Sequence, residues 1–179
     1  MRMCICVSIT QNKRQETVIK ALGKLDFDRK KLLVDFWGAG SNRYIDYLKS
    51  IAESYNLLDA ISFKGYSNKI NSILDDYDIG INPSLNEGFG RTTIEYMAAG
   101  LITIGHSSGA TPEIINNGIN GFLFDEEQDL TALFQRIIPN LDSMRDIAAY
   151  SGRWVKETMD MRVNIKKIYA LYQELIRDR

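Results

Sequence analysis

Residues 79–113 constrain this chain most. They read IGINPSLNEGFGRTTIEYMAAGLITIGHSSGATPE: an apolar strand, a glycine-broken loop, a helix, a second apolar strand and a second polar loop. Ile79, Ile81 and the run 101–104 have the β-branched, unalternating character of parallel strands buried on both faces. Pro83 keeps Asn82 extended and ends the first strand. Gly88 and Gly90 bracket Phe89, so the backbone can turn sharply there and lie close to a ligand. The helix is expected to start near Arg91 or Thr92 and to stop at Gly100. Its free N–H groups and positive dipole end would seat an anion such as a diphosphate. Glu87 stands before that seat and Glu95 one turn inside it.

The rest of the chain repeats the alternation. Strands are expected at residues 3–9, 31–37, 61–63, 77–82, 101–104 and 122–124. Helices are expected at 16–25, at 70–74, at 130–138 closed by Pro139, and at 141–150. Another follows Gly38-Ala39-Gly40-Ser41, with Tyr44, Ile45, Leu48, Ile51 and Ala52 on one face. A closing amphipathic helix is expected at about 164–177, where Ile165, Ile168, Tyr169, Tyr172, Leu175 and Ile176 form one stripe. Short apolar strands alternating with helices predict the α/β class. The expected fold is a Rossmann-like, doubly wound parallel sheet over 1–179 with a C-terminal helical segment. Ligands of such sheets bind beyond the carboxyl ends of the strands. The loops after Ile9, Trp37, Phe63, Asn82, Gly105 and Phe124 are therefore where a site should form.

A chain of 179 residues is long enough to bury a substantial core as one domain. Its net charge of −1 supplies no basic field, which argues against a nucleic-acid partner. No apolar run approaches the roughly 20 residues that span a bilayer, and no signal-peptide pattern is visible. The expectation is a cytoplasmic protein without a transmembrane segment, with peripheral association at the inner face of the membrane left open. Cys4 and Cys6 point to one face of a strand but are poorly placed to bond each other, and they read as reduced core residues. Without a cluster of Cys or His elsewhere, no metal site is expected.

Glu87-Gly88-Phe89-Gly90-Arg91-Thr92-Thr93-Ile94-Glu95 resembles the E-x7-E signature of retaining glycosyltransferases with the GT-B fold, family 4 in particular. Asn82-Pro83-Ser84 before it, and Ser108-Gly109-Ala110-Thr111-Pro112-Glu113, Gly118 and Gly121 after it, resemble the same family. The resemblance runs from Met3 to about Leu175 and is to the C-terminal, nucleotide-sugar-binding half of that fold. It implies that Glu87 bonds hydroxyls of the transferred sugar and stabilises positive charge at its anomeric carbon, as the catalytic carboxylate. It implies that Glu95 accepts from the ribose hydroxyls. Arg91, Thr92 and the N–H groups from Gly90 to Thr93 would grip the diphosphate, with Lys13 placed against the same phosphates and Gly88 against the donor. Gly38, Gly65 and Tyr66 would lie against the nucleotide, and Phe89 within the signature loop.

Each of these residues also has a plainer account. Glu87 could be a loop acid favoured by the helix dipole, and Thr92-x-x-Glu95 fits a capping box. Lys13 and Arg91 could be solvated side chains, and the glycines simple turns. His106, the only histidine, reads as a loop residue. One departure is clear: the family usually carries a Gly-Arg pair five to six residues before the lysine, and here Val7 and Ser8 stand there. Lys13, Arg14 and Arg91 are the possible substitutes.

The resemblance implies transfer of a hexose from a nucleoside diphosphate sugar to a glycan or lipid-linked acceptor, in polysaccharide or glycoconjugate biosynthesis. No cofactor or metal is implied beyond the donor itself. The acceptor-binding N-terminal half is not among these residues, so the chain alone is expected to bind donor and turn over little. The alternative is a non-catalytic nucleotide-sugar module, or one subunit of a two-chain transferase. A sugar-nucleotide epimerase is disfavoured, because Gly38-Ala39-Gly40 is followed by Arg43 where a dinucleotide fingerprint needs its third glycine.

Overall fold

The computed structural model describes residues 1–26 and 31–177. Six strands form one sheet: β1 (Arg2–Cys6), β2 (Leu33–Trp37), β3 (Ile61–Gly65), β4 (Ile79–Asn82), β5 (Ile102–His106) and β6 (Phe122–Phe124). Every pairing is parallel, and the spatial order is β3-β2-β1-β4-β5-β6. Parallel neighbours need long crossovers, and helices line them: α1 (Gln15–Gly23), α2 (Asn42–Ser54), α3 (Ile70–Ile73), α4 (Arg91–Ala98) and α5 (Thr111–Ile114). After β6 come α6 (Glu127–Ile137), α7 (Arg145–Thr158) and α8 (Met161–Arg177).

Alternation along β1 decides which layer each side chain joins. Met3 and Ile5 enter the larger core with Phe36, Ile81 and Ile104, beneath Leu22 of α1, Leu48 of α2 and Phe134 of α6. Cys4 points the other way, to Leu74, Tyr77, Tyr96 and Leu101, and partly buried Cys6 and Trp37 complete that layer. Helices thus cover both faces, which is why the strands read as apolar without alternation. Both cysteines are free. Tyr96 of α4 lies flat on the second face because Gly80 lets it: a Cβ there would stand 2.4 Å from the ring. Its hydroxyl accepts the Cys6 N–H at 2.6 Å. Asp35, the acid inside β2, is buried but met by the Tyr77 hydroxyl at 2.7 Å, Arg2 at 3.3 Å and Lys64 at 3.4 Å. A buried carboxylate persists only with such partners.

Several boundaries differ from the sequence expectation, and three of them have a clear local cause. β1 ends at Cys6 and not at Ile9, because the chain leaves the ladder to cross the exit of β2. Ile9 donates its N–H to the Ala39 carbonyl at 2.8 Å and bridges to Gly40. α6 starts at Glu127, ahead of Leu130, behind a capping box between Glu126 and Asp129. Apolar periodicity does not see such an acid start. α7 begins at Arg145 and runs to Thr158, well past Tyr150, because Ala148, Ser151 and Val155 are buried along it and it packs against α4.

Candidate active site

The strand order reverses between β1 and β4, with β2 and β3 on one side and β5 and β6 on the other. Loops leaving the carboxyl ends of β1 and β4 therefore diverge and open a crevice, the place where such sheets take ligands. Lys13 follows β1 and Glu87 follows β4. They meet across the crevice, Nζ to Oε2 at 2.9 Å, with side chains 25% and 19% exposed.

Local chemistry fixes the loop that carries Glu87. Asn82, buried at the end of β4, accepts the Ser84 N–H at 3.3 Å and donates to Thr93 Oγ1 at 3.1 Å, tying the loop to α4. Gly90 caps α4 at φ 72°, and a Cβ on it would lie 2.5 Å from Ile114 Cδ1. No side chain caps α4, so its first N–H groups stay open to an anion at the positive end of the helix. The capping box read from Thr92 and Glu95 does not form. The left-handed Gly90 starts the helix at Arg91, which makes Thr92 its second residue and Glu95 its fifth.

Glu95 is half-buried. Burial pushes its carboxyl above the usual range, and Arg91 opposes that shift. A cleft of about 250 Å³ is lined by Cys6, Val7, Ser8, Trp37, Gly38 and Tyr66. Gly38 donates its N–H to the Gly65 carbonyl at 2.9 Å. Packing alone already demands a glycine at 38, since a Cβ would stand 2.1 Å from the Val7 carbonyl oxygen. Tyr66 is exposed beside this cleft. On the other side of Glu87, a cleft of about 540 Å³ is bounded by Gly88, Phe89, Ile94, Gly109 and Glu113, with Phe89 exposed at its edge. Arg91 is exposed and Thr92 partly so.

Sequence reasoning missed a second link between the same loops. His106 is not a loop residue but the last residue of β5, and it is buried. Its Nε2 lies 2.8 Å from an Arg14 guanidinium nitrogen and its Nδ1 2.8 Å from Ser108 Oγ. Ser108 Oγ also accepts the Asn86 N–H at 3.1 Å. Burial, and then the Arg14 charge, hold the imidazole below its usual pKa. Gly109 lies flat on Glu87: at φ 60°, a Cβ on it would meet the Glu87 backbone N and O at 2.5 Å. Only the lone histidine before a Ser-Ser-Gly loop hinted at this arrangement. Among the described residues, no three His, Cys, Asp or Glu side chains gather as they would around a metal ion, and no helix is long and apolar enough to cross a membrane.

Comparison with known proteins gives four concordant findings. The sequence profile of the family described as Glycosyl transferases group 1 matches residues 3–154. N-acetyl-alpha-D-glucosaminyl L-malate synthase of Bacillus anthracis is 26% identical over 168 residues, 93% of this chain and 42% of that protein. Anabaena HepE, solved in complex with UDP, superposes with a TM-score of 0.88 at 20% identity, over 97% of this chain and 48% of that one. The C-terminal domain of a glycosyl transferase group 1 family protein (LpcC) from Francisella tularensis gives 0.81 at 25% identity, over 89% of this chain and 86% of that domain. The chain thus spans less than half the length of the first two.

Proposed function

The chain belongs to the group 1 glycosyl transferases, and from that premise we propose that it is the donor-binding half of a retaining enzyme. It takes a nucleoside diphosphate sugar into the crevice between β1 and β4 and presents the hexosyl group to a glycan or lipid-linked acceptor. The observation that carries this reading is the Lys13–Glu87 pair at the strand-order reversal, beside the uncapped start of α4. HepE, which shares the fold, is solved with UDP and also with UDP-glucose.

In this reading each part has a role. Lys13, Arg91 and the α4 N–H groups hold the diphosphate, Glu95 accepts from the ribose hydroxyls, and the cleft beside Gly38, Gly65 and Tyr66 takes the base. An arriving diphosphate draws Lys13 away from Glu87, whose carboxylate then turns to the sugar hydroxyls. When the anomeric carbon–oxygen bond breaks, the leaving diphosphate keeps the electron pair. Lys13 and the helix end are already aimed at that growing charge, and no metal is called on. Glu87 faces the positive charge left on the sugar. The acceptor is bound by a further half, as the lengths of the relatives suggest, with the apolar stripe of α8 set against it. A lipid-linked acceptor would bring the enzyme to the cytoplasmic face of a membrane.

A second reading, a module that binds donor without catalysis, draws on Val7 and Ser8 standing where the family usually has Gly-Arg. Calorimetric titration with UDP, GDP, ADP and their sugar conjugates tests the donor site. One diphosphate should saturate the chain, and Glu95→Ala should weaken it by about tenfold, the worth of one or two lost hydrogen bonds. A folded chain that binds none of them sinks the reading. Joined to an acceptor half, Glu87→Ala should abolish transfer while nucleotide affinity persists; unchanged transfer would remove Glu87 from its catalytic role.

A further inference from the structure

The direct ion pair between Lys13 and Glu87 has a neighbour running parallel to it. Arg14 follows Lys13 and Asn86 precedes Glu87, and the two are joined through His106 and Ser108. A guanidinium has donors only, so the His106 Nε2 facing it must be the bare acceptor. The ring proton is then on Nδ1, donated to Ser108 Oγ, which also accepts from Asn86. Arg14 is held at φ 49°, a left-handed conformation rare for a side chain of its size. Among the described residues it makes no ion pair, so its charge is lodged against a neutral imidazole at the rim of the crevice.

We propose that His106 is a positioning residue of this site: as the neutral Nδ1–H tautomer it fixes Arg14 at the start of α1 and, through Ser108, the backbone before Glu87. The proposal rests on the donor-site reading above. Lys13 and Glu87 face each other because the residues beside them are tied by this bridge. Protonation would break it, since Nε2 would become a donor pointed at a second cation. The charged groups facing the ring are Arg14 from the start of α1 and Asp125 and Glu126 beyond β6, with the Phe124 ring edge-on at 5.3 Å. The Asp125 backbone first, and then the charges of the two acids, favour the imidazolium, but burial and Arg14 outweigh them. The ring therefore stays neutral down to below the ordinary value of 6.5. As pH falls through that lowered pKa, the bridge opens and the crevice loses its frame.

His106 is the only histidine, so nitrogen-resolved NMR reads a single imidazole in the whole chain. The expected result is the Nδ1–H tautomer at neutral pH, with a pKa below 6.5 that rises when Arg14 becomes Met. Donor affinity is then followed with UDP-glucose or GDP-mannose, whose diphosphates are esterified at both ends and carry no proton that titrates near neutrality. Wild-type affinity should fall several-fold as the pH drops from about 7.5 through the lowered pKa that the NMR titration reads. His106→Gln, which keeps one acceptor and one donor without titrating, should match the wild type at the upper pH and stay flat. His106→Leu should lose about tenfold throughout.

An Nε2–H tautomer overturns the proposal. So do superimposable pH profiles for wild type and His106→Gln, or affinity that rises towards low pH as plain attraction to an imidazolium would make it. A chain with the expected tautomer that binds no UDP, GDP or ADP sugar overturns the donor reading itself, and the positioning role with it.

Discussion

α4 and α8 carry apolar faces of similar kind and meet opposite fates. The eight residues of α4 bury Thr93, Tyr96 and Met97. α8 is 17 residues long and buries none, although Met161, Ile165, Ile168, Tyr172 and Ile176 share one face, each more than half exposed. An amphipathic stripe states what a helix could bury; the neighbours decide what it does bury. α4 lies over β4 and β5 with α5 and α7 beside it, whereas the main contact of α8 is with α7. Of the two, the helix whose N-terminus faces the crevice is thus the more firmly held. The helix assigned above to the acceptor side still has its apolar face in water.

Three substitutions test that contrast, beginning with the largest effect. Tyr96→Ala should cost about 3–5 kcal/mol in urea unfolding, because it empties the space over Gly80 and strips the Cys6 N–H of its acceptor. A loss under about 1 kcal/mol would mean that α4 is not anchored by its buried face. Gly109→Ala should cost about 1–3 kcal/mol, since it forces a side chain into left-handed backbone against the Glu87 peptide. It should also weaken nucleotide binding in the same calorimetric titration, and full affinity would separate the Gly109 contact from the site. Ile168→Ser on α8 should stay within about 0.5 kcal/mol. A loss of about 1.5 kcal/mol or more would show that α8 already belongs to the core and erase the contrast.

Much of this arrangement could be read before any coordinates, for physical reasons. Buried parallel strands must be apolar on both faces, so the six strands stood out as short apolar runs, and their alternation with helices fixed the layers. Gly88-Phe89-Gly90 before a helix marked an open helix start, and the loops after the first and fourth strands were the natural place for Lys13 and Glu87. Sheet order was not legible, because nothing local in Ile79 or Met3 says that they will pair. The Arg14–His106 contact was hidden for the same reason: it joins residues 92 apart, through a fold that no period encodes. Thr92 and Glu95 mislead in the opposite way. Their spacing satisfies a local rule that a left-handed glycine two residues earlier has already pre-empted.

The Lys13–Glu87 pair spans 74 residues. On a ribosome adding roughly 5–20 residues per second, Lys13 is made about 4–15 seconds before Glu87 exists. A nucleotide sugar that needs both sides of the crevice cannot bind a chain still short of α4. Its binding energy goes only to molecules in which β1 and β4 have come together. If the donor binds as proposed, the reversal in strand order acts as a clock as well as a cleft: the ligand would stabilise the finished fold and give nothing to its precursors.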